Sequence, residues 1–288
     1  MNDINKKIYS YYYVLPAFLI FLVFFIIPTI ASFFFSFTKW TLFDWEFCGF
    51  DNFINFFYIA SLKGSIINSF IYALSTSGLK VVLGLLIAVF LCGKIKVKNY
   101  LRAVIFYPSI LSIIAVGAIF KSLMNPVYGP INQLLGAIGI NGPYWLGNPN
   151  LALYSIILVD VWIGIGKATL IYIAGLMSIP NSYYEACEID GGGRLQKFFH
   201  ITLYLVRPAM NTVIILSFIG GFRTFSLIWA MTGGGPGFTT DVIASAVYKK
   251  YLDGLFGLSA AGNVIFFILI SILAFPLYKF LSQTEVEY

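Results

Sequence analysis

The chain has 288 residues, of which 59% are hydrophobic and only 10% charged, and its net charge is +6. A soluble domain carries about 25% charged residues, so this composition excludes a chain that lies mainly in water. The three cysteines are scattered without metal-ligand spacing or a disulfide framework, and His200 is alone, which excludes a histidine-based triad and a multi-histidine metal site. The positive charge is spread over loops, and we do not interpret it as a nucleic-acid interface.

Long apolar runs set the predicted architecture. A helix that crosses a bilayer needs roughly 20 mainly apolar residues, and backbone groups in lipid must be paired internally. The sequence therefore predicts an all-α integral membrane protein with a single domain over residues 1–288. Its six spans are expected at 11–38, 66–93, 102–122, 151–178, 208–231 and 256–280. The first run is too long for a cleaved signal peptide, which favours an uncleaved anchor.

Loop charges predict the orientation of these spans. Lys and Arg collect in the cytoplasmic loops of membrane proteins. One side of the predicted bundle carries Lys6, Lys7, the basic loop 93–102, the segment 180–207 and Lys279. Lysines on the opposite side are balanced by Asp and Glu. We therefore predict that both termini and the segment 180–207 lie at the cytoplasmic face.

The segment 180–207 is polar and is broken by glycines between two apolar runs. Ser182 and Glu185 have capping-box spacing, which predicts a short helix from there to about Asp190. The triple glycine that follows should end that helix, and a second helix can begin at Arg194. That second helix would carry an apolar stripe at helical spacing, made of Leu195, Phe198, Phe199 and Leu203. Such an element can lie on a membrane surface or dock into a groove of a partner protein.

The residues of this segment resemble a known motif. "EACEIDGG" with "FFHITL" is similar to the EAA motif of the permease subunits of binding-protein-dependent ABC importers, roughly E-A-A, three residues, G, and later I-x-L-P. The matching residues are Glu185, Ala186, Asp190, Gly191, Ile201 and Leu203. Two positions depart from the pattern. Cys187 replaces an alanine, which is a small-for-small change, and Tyr204 stands where the family has proline, with Pro208 further on.

The resemblance extends over nearly all of the chain. Stretches typical of the carbohydrate-uptake branch, with its maltose-, multiple-sugar- and glycerol-phosphate-type permeases, occur in the expected order. They are "GFDNFINFF", "MNPVYGPINQLLG", "DVW", "IAGLMSIP" and "MTGGGPG". The resemblance implies the permease fold of an ABC importer, with a coupling helix between spans 4 and 5. It also implies a multi-pass location in a bacterial-type cytoplasmic membrane.

The same resemblance implies a division of labour between chains. The sequence has no GxxxxGK[ST] phosphate loop, because Gly166-Lys167 lacks the flanking pattern. We therefore expect a transport subunit that is not an enzyme and carries no cofactor or metal, with ATP and Mg²⁺ bound by a partner ATPase. The expected partners are two ATPase subunits, a second related permease, an extracytoplasmic binding protein and membrane lipid. The residues expected to couple to the ATPase are Glu185, Ala186, Cys187, Asp190, Gly191, Gly192 and Gly193.

Four charged residues are predicted at membrane depth: Lys80, Asp160, Lys167 and Arg223. Charges there are costly, so each is a candidate for the translocation path, and the alternative is a structural ion pair or a snorkelling side chain. Counting residues from the outer ends of the spans puts Asp160 and Arg223 at a similar depth, which predicts that they pair. Lys80 and Lys167 come out deeper. The excess of two positive charges would suit an acidic sugar.

Two other classes of function compete with an ATP-driven sugar importer. An ion-coupled secondary transporter would explain charges inside the membrane, but it does not explain the segment 180–207, and six spans are few for inverted repeats. A membrane-embedded enzyme would need a catalytic cluster. Neither a histidine pair nor a carboxylate dyad is visible in the sequence.

Overall fold

Apart from one short hairpin, the regular structure in the described part of the chain is helical. The computed structural model describes residues 11–41, 43–93 and 95–283. Lys6, Lys7 and Lys94, which contributed to the predicted orientation, lie outside the described residues. Within the described ranges, four helices are long and apolar enough to cross a membrane, or up to six if each of two bent helix pairs is one span. An all-α membrane protein is confirmed, while six spans and cytoplasmic termini remain predictions.

The chain forms two compact units. The first contains the residues up to Ile59 together with Val247–Phe267. Its described part starts with a short 3₁₀ helix, Tyr11–Tyr13, followed by the apolar helix α1, which has a π-helical turn. A two-stranded antiparallel hairpin and a short helix come next. The bounds are α1 Leu15–Ser36, β1 Thr38–Trp40, β2 Trp45–Phe47 and α2 Asp51–Tyr58.

A buried asparagine fastens the first unit. The Asn52 side-chain amide donates to the carbonyl oxygens of Ser36 and Thr38, at 3.0 and 2.8 Å. Gly257 packs against the same point, since a Cβ there would lie 1.8 Å from the Thr38 carbonyl oxygen. The Phe35 and Trp40 rings stack with centroids 4.1 Å apart. The end of α1 is therefore held by Trp40 of the hairpin and by the Asn52 side chain of α2.

The second unit contains Ala60–Ala246 and the residues from Ile268 onward. It holds the long helices α3 and α7 and the segment predicted to be cytoplasmic. Its first helices are α3 Ala60–Cys92, α4 Lys98–Ile110, α5 Ile113–Leu123, α6 Pro130–Ala137 and α7 Ala152–Met177. They are followed by α8 Asn181–Ile189, α9 Arg194–Leu205, α10 Arg207–Phe222 and α11 Ser226–Met231. Two further helices, α12 Ile243–Leu252 and α13 Phe256–Ser282, each have residues in both units.

Two of the predicted spans are not single straight helices. The segment predicted as 102–122 breaks at Leu111 and Ser112, whose backbones are extended, and α4 and α5 meet at 96°. The predicted span 208–231 ends as a helix at Phe222 and resumes as α11. Glycine is a poor helix former, and Gly220 and Gly221 precede this second break. Hydropathy measures how long a run of apolar residues is and not whether the helix is continuous. It therefore gave no sign of either break.

Glycines bring the helices of the second unit into close contact. A Cβ on Gly84 of α3 would lie 3.0 Å from the Ala168 Cβ on α7, and one on Gly221 would lie 2.8 Å from the Ala73 Cα. The contact of Gly166 on α7 is with backbone, 2.4 Å from the Ile105 carbonyl oxygen of α4. Small residues let backbones approach in this way at helix interfaces in membranes, where packing drives association.

Two buried clusters lie along α3 and α7. One includes Tyr72, Ile156, Val159 and Leu227, and the other includes Ala88, Leu91, Tyr172 and Val206. Together they hold α3, α7 and the α9–α10 junction in one packed body, which positions the charged residues described next.

Candidate functional site

The segment between α7 and α10 folds as a helix, a tight turn and a second helix. The predicted glycine break is confirmed. Gly191 has φ +77°, a left-handed conformation that favours glycine. Its N–H donates to the Glu188 carbonyl at 3.1 Å, and the Gly192 N–H donates to the Cys187 carbonyl at 2.7 Å. This pair of bonds is a Schellman cap, which satisfies the last carbonyls of α8.

Cys187 and Gly192 explain why a second glycine is needed in this turn. A Cβ at Gly192 would lie 2.3 Å from the Cys187 Sγ and 2.8 Å from its carbonyl oxygen. Gly193 has an extended backbone and caps α9, where its N–H donates to the Gln196 Oε1 at 2.8 Å. Only the first two glycines of the triplet are therefore required by geometry.

The start of α8 differs from the predicted capping box. The helix begins at Asn181, one residue before the predicted Ser182, and Pro180 occupies the N-cap position without a side-chain cap hydrogen bond. Ser182 and Glu185 thus lie inside the helix. The proline at 180 holds an extended backbone, which ends the preceding segment and lets a helix start directly after it.

The predicted apolar stripe of α9 splits into two faces. Residues Lys197–Thr202 form a π-helical turn, which widens the repeat beyond that of an α-helix. Phe198 and Leu203, five residues apart, pack against the buried cluster at the α9–α10 junction. Leu195 and Phe199 remain exposed. The prediction of one stripe assumed a regular α-helical repeat and was wrong for that reason.

Few contacts attach α8 to the rest of the unit. The Tyr184 hydroxyl hydrogen bonds the Thr202 hydroxyl at 3.1 Å, and Lys197 forms an ion pair with Glu188. The remaining candidate coupling residues, Glu185, Ala186 and Asp190, are exposed. A cavity of about 470 Å³ separates α8 from the ends of α3 and α7, lined by Val89, Cys92, Gly93, Leu176, Met177, Ile179, Asn181, Tyr184 and Thr202. The segment thus projects from the helix bundle.

At the end of α9 the chain bends by 65° into α10. Tyr204, which stands at the family's proline position, is still helical, and the bend falls at the buried Val206. Pro208 lies in the first turn of α10, a position that proline favours. The Arg207 guanidinium covers the Tyr204 ring at 4.3 Å. Tyr204 therefore does not interrupt α9, and Pro208 lies in the next helix.

The four charged residues of the spans do not form the predicted pair. Asp160 of α7 is bonded to Lys80 of α3, with 2.6 Å between Oδ2 and Nζ, and the two side chains are only 21% and 11% exposed. Arg223 is exposed at the end of α10, and the structure shows no ion pair for it among the described residues. Lys167 is exposed as well.

The depth argument failed because helix ends do not share a plane. Lys80 lies far along α3, whose first residue is Ala60, whereas Asp160 lies about two turns into α7. Their side chains nevertheless touch. Counting from predicted span ends put Lys80 about 8 Å too deep for Asp160 at 1.5 Å per residue. Neither the offset between neighbouring helices nor the reach of a lysine entered that count.

Two residues near this pair were missed in the sequence analysis. Gly164, one turn after Asp160, lies against the end of the Lys80 side chain. Tyr72 is fully buried on α3, about two turns before Lys80, and its hydroxyl has no hydrogen-bond partner within the described part of the chain. The sequence offered a clue only for Gly164, which is a glycine one turn after the intramembrane Asp160. It offered none for Tyr72.

Comparisons with known proteins agree with this architecture. Residues 80–285 match the family of binding-protein-dependent transport system inner membrane components. The chain belongs to that family, and the predicted location in the cytoplasmic membrane is confirmed.

Individual relatives match along almost the entire chain. A probable ABC transporter permease protein, YurN, of Bacillus subtilis is 31% identical over 98% of this chain and 99% of its own. The trehalose/maltose transport system permease protein MalF of Thermococcus litoralis is 31% identical over 91% of this chain and 89% of its own. In a solved structure of a bacterial alginate ABC transporter with an alginate-bound periplasmic protein, one chain matches with a TM-score of 0.80. It is 24% identical, and the match covers 98% of this chain and 95% of that one, which confirms the permease fold.

Proposed function

We propose that this chain forms the membrane pathway of an ATP-driven sugar importer and that α8 and α9 dock onto an ATPase carried by a separate polypeptide. The observation that carries the docking proposal is a group of large apolar side chains exposed around the α8–α9 turn. Ile189 is 86% exposed, Leu195 74% and Phe199 58%. Exposed apolar groups on a projecting, polar segment are typical of a protein–protein contact.

The shape of the segment favours a protein groove over a lipid surface. An interfacial helix presents one continuous apolar face to the lipid. Here the turn at Asp190–Gly193 divides the segment into two short helices, and the π-helical turn directs Phe198 and Leu203 inward. What remains outside is a compact projection with both charged and apolar side chains, which fits a cleft.

The contacts of the segment provide a route for movement into the spans. Closure of an ATPase pair on binding ATP would displace α8. The Tyr184–Thr202 hydrogen bond and the Glu188–Lys197 ion pair connect α8 to α9, and the buried Val206 connects α9 to α10. This chain would then alternate between outward and inward access, while the ATPase binds ATP and Mg²⁺ and hydrolyses the nucleotide.

The proposed assembly has two permeases, two ATPases and a binding protein. The family is described as a component of binding-protein-dependent transport systems. The solved alginate transporter was crystallised in complex with a periplasmic protein. One chain of this kind supplies one coupling segment, whereas a pair of ATPases offers two clefts. We therefore propose a second, related permease as the partner. Purification of an active complex with two copies of this chain would refute that part of the proposal.

The proposed substrate is a sugar, and we favour an acidic one. The relatives include permeases of maltose, multiple-sugar and arabinooligosaccharide systems, and the solved transporter imports an acidic polysaccharide. Because Lys80 and Asp160 neutralise each other, Lys167 and Arg223 remain as the exposed cations among the four candidate path residues. They would attract a carboxylate. An ion-coupled carrier receives no support from the comparisons.

Reconstitution tests the coupling proposal. The complex of this chain with its partner permease, ATPase and binding protein should import sugar into proteoliposomes only with ATP. Ile189→Glu should reduce both co-purification of the ATPase and uptake. Leu134→Glu is the matched control, since Leu134 on α6 is 72% exposed and lies outside the segment. Full assembly of the Ile189 variant, or equal loss in both variants, would contradict the docking proposal.

A sugar panel tests the substrate class. We expect uptake of a uronate-containing oligosaccharide to exceed that of a neutral one of equal length. Lys167→Gln and Arg223→Gln should raise the KM for the acidic sugar, whereas Lys121→Gln, which removes an exposed cation on α5, should leave it unchanged. Preference for the neutral sugar with an unaltered KM in both variants would rule out an acidic substrate but not the importer.

A further inference from the structure

The ion pair between α3 and α7 passes over a glycine. A Cβ built on Gly164 would lie 2.5 Å from the Lys80 Cε and 2.8 Å from its Nζ. Gly164 is one turn after Asp160, on the same side of α7, and the lysine crosses this position to reach the carboxylate at 2.6 Å. The space that a side chain at 164 would fill is occupied by the end of Lys80.

The same two helices touch again one turn further on. There, Gly84 of α3 meets Ala168 of α7, with 3.0 Å between the built Cβ and the alanine Cβ. Residue numbers increase together along both contacts, so α3 and α7 run parallel and pack through small residues. The Lys80–Gly164 contact belongs to the same seam, but it joins a charged side chain to a glycine.

An alanine at position 164 would displace the Lys80 side chain and so break the ion pair, without forcing the backbone of either helix to move. The atoms in its way are the flexible end of a lysine, which can rotate aside without moving either helix. Rotation would carry the ammonium away from Asp160 and leave both charges unpaired in a mostly buried place. At Gly84 the obstacle is the Ala168 Cβ, with its backbone behind it, so the helices themselves would have to separate.

We propose that Gly164 is a positioning residue: because it has no side chain, Lys80 has room to reach Asp160. The two charges then bind each other and do not bind the transported sugar. The pair would hold α3 against α7, and the pathway would carry no net charge from Lys80 and Asp160. Only the part that concerns the sugar rests on the proposed function. The part that concerns Gly164 can be tested on the purified protein without any transport.

A double-mutant cycle separates loss of the pair from loss of packing. Gly164→Ala should lower the melting temperature of the purified complex in the wild-type background but should have no further effect on a Lys80→Ala variant, whose pair is already lost. Gly175→Ala on α7, where a Cβ would lie 2.5 Å from the Ala209 Cβ of α10, is about three turns from Gly164 and should lower it by the same amount in both backgrounds. Gly64→Ala, on α3 with open space around it, controls for the glycine change alone. Equal effects of Gly164→Ala with and without Lys80 would overturn the positioning role.

Uptake kinetics test whether the sugar uses these charges. In a Lys80→Met/Asp160→Leu double variant both charges are removed together, so no unpaired charge remains. We expect a wild-type KM for the transported sugar in any fraction of the variant that assembles. A several-fold rise in KM would show that the pair binds sugar and would overturn this part of the inference. Failure of the wild-type complex to import any sugar would refute the proposed function instead, and the melting-temperature cycle would still decide the role of Gly164.

Discussion

Two lysine–carboxylate pairs in this protein have the same chemistry but differ in how far the carboxylate is shielded from water. In the pair Lys80–Asp160 both side chains are largely shielded, with 11% and 21% exposed. In the pair Lys197–Glu188 the lysine is 18% exposed, but the carboxylate is 66% exposed. A charge pair in contact with water gains little from pairing, whereas an unpaired charge in a buried place is strongly unfavourable. In the first pair each charge therefore needs the other where α3 packs on α7, and the second is a contact at the surface of a projecting segment.

The glycines of the same two regions differ in a parallel way. Gly84, Gly164 and Gly166 sit within α3 and α7 with ordinary helical conformations, and they are required because a neighbour occupies the space of a side chain. Gly191 has open space around it, and it is required because its φ is +77°. The bundle uses glycine for close approach, whereas the α8–α9 turn uses Gly191 for backbone conformation and Gly192 for close approach to Cys187.

The largest effect that we expect comes from removing the buried carboxylate. Asp160→Asn would leave Lys80 charged and unpaired, at a cost of about 3–5 kcal/mol in stability. Yield and melting temperature of the detergent-solubilised complex measure this. The double variant without either charge should be more stable than Asp160→Asn. If Asp160→Asn were as stable as the wild type, Lys80 would have found another partner. The two ion pairs would then not differ in the cost of losing one charge.

A smaller loss is expected where a glycine of α7 meets backbone. In Gly166→Ala the new Cβ would lie 2.4 Å from the Ile105 carbonyl oxygen and 2.8 Å from the Phe106 Cα, so α4 would have to move away. Overpacking of this kind costs about 1–3 kcal/mol. Gly220→Ala on α10 is the control, because nothing lies within 4 Å of the built Cβ. Equal melting temperatures for these two variants would contradict the close-approach role.

The third prediction concerns backbone conformation at the α8–α9 turn. Gly191→Val places a β-branched residue in the left-handed region, which costs about 1–2 kcal/mol or more, so the turn should adopt another shape. We expect reduced ATPase assembly, or ATP hydrolysis without sugar uptake, with little change in the stability of the bundle.

Gly193→Val is the matched control for Gly191→Val. Gly193 is two residues away, its φ is −78° and its ψ is 174°, and the nearest atom to its built Cβ is the Gln196 Oε1 at 3.9 Å. Any residue adopts that backbone, so assembly and coupling should persist. If both valine variants lost coupling to the same extent, the left-handed turn would not be the cause.

The smallest effect should come from the exposed ion pair. Glu188→Gln keeps the shape of the side chain and removes a charge that is mostly in water, so the loss of stability should be about 0–1 kcal/mol. Melting temperatures in low and high salt measure it, since screening weakens exposed pairs. A loss as large as that of Asp160→Asn would mean that burial does not separate the two pairs.

The sequence predicted more of the α8–α9 segment than of the charge pairing. The turn at Asp190–Gly193 and the start of a helix at Arg194 follow from local rules about glycine and helix caps, and the structure confirms both. The π-helical turn was not predictable in this way, and it accompanies the packing of Phe198 and Leu203 against the buried cluster at the α9–α10 junction. Features that involve contacts between helices could not be predicted from rules about residues that are neighbours in the sequence.

By itself the sequence determined the membrane environment, the helical class, the approximate places of the apolar helices and the family. Each of these follows from hydropathy, from the need to pair backbone groups in lipid, or from motifs read along the chain. Only the tertiary structure decided that Asp160 meets Lys80 rather than Arg223, that Gly164 lies under the lysine, and where two predicted spans break. The physical reason is that the offset between two packed helices is set by all the side chains along their seam, and no count along a single helix contains it.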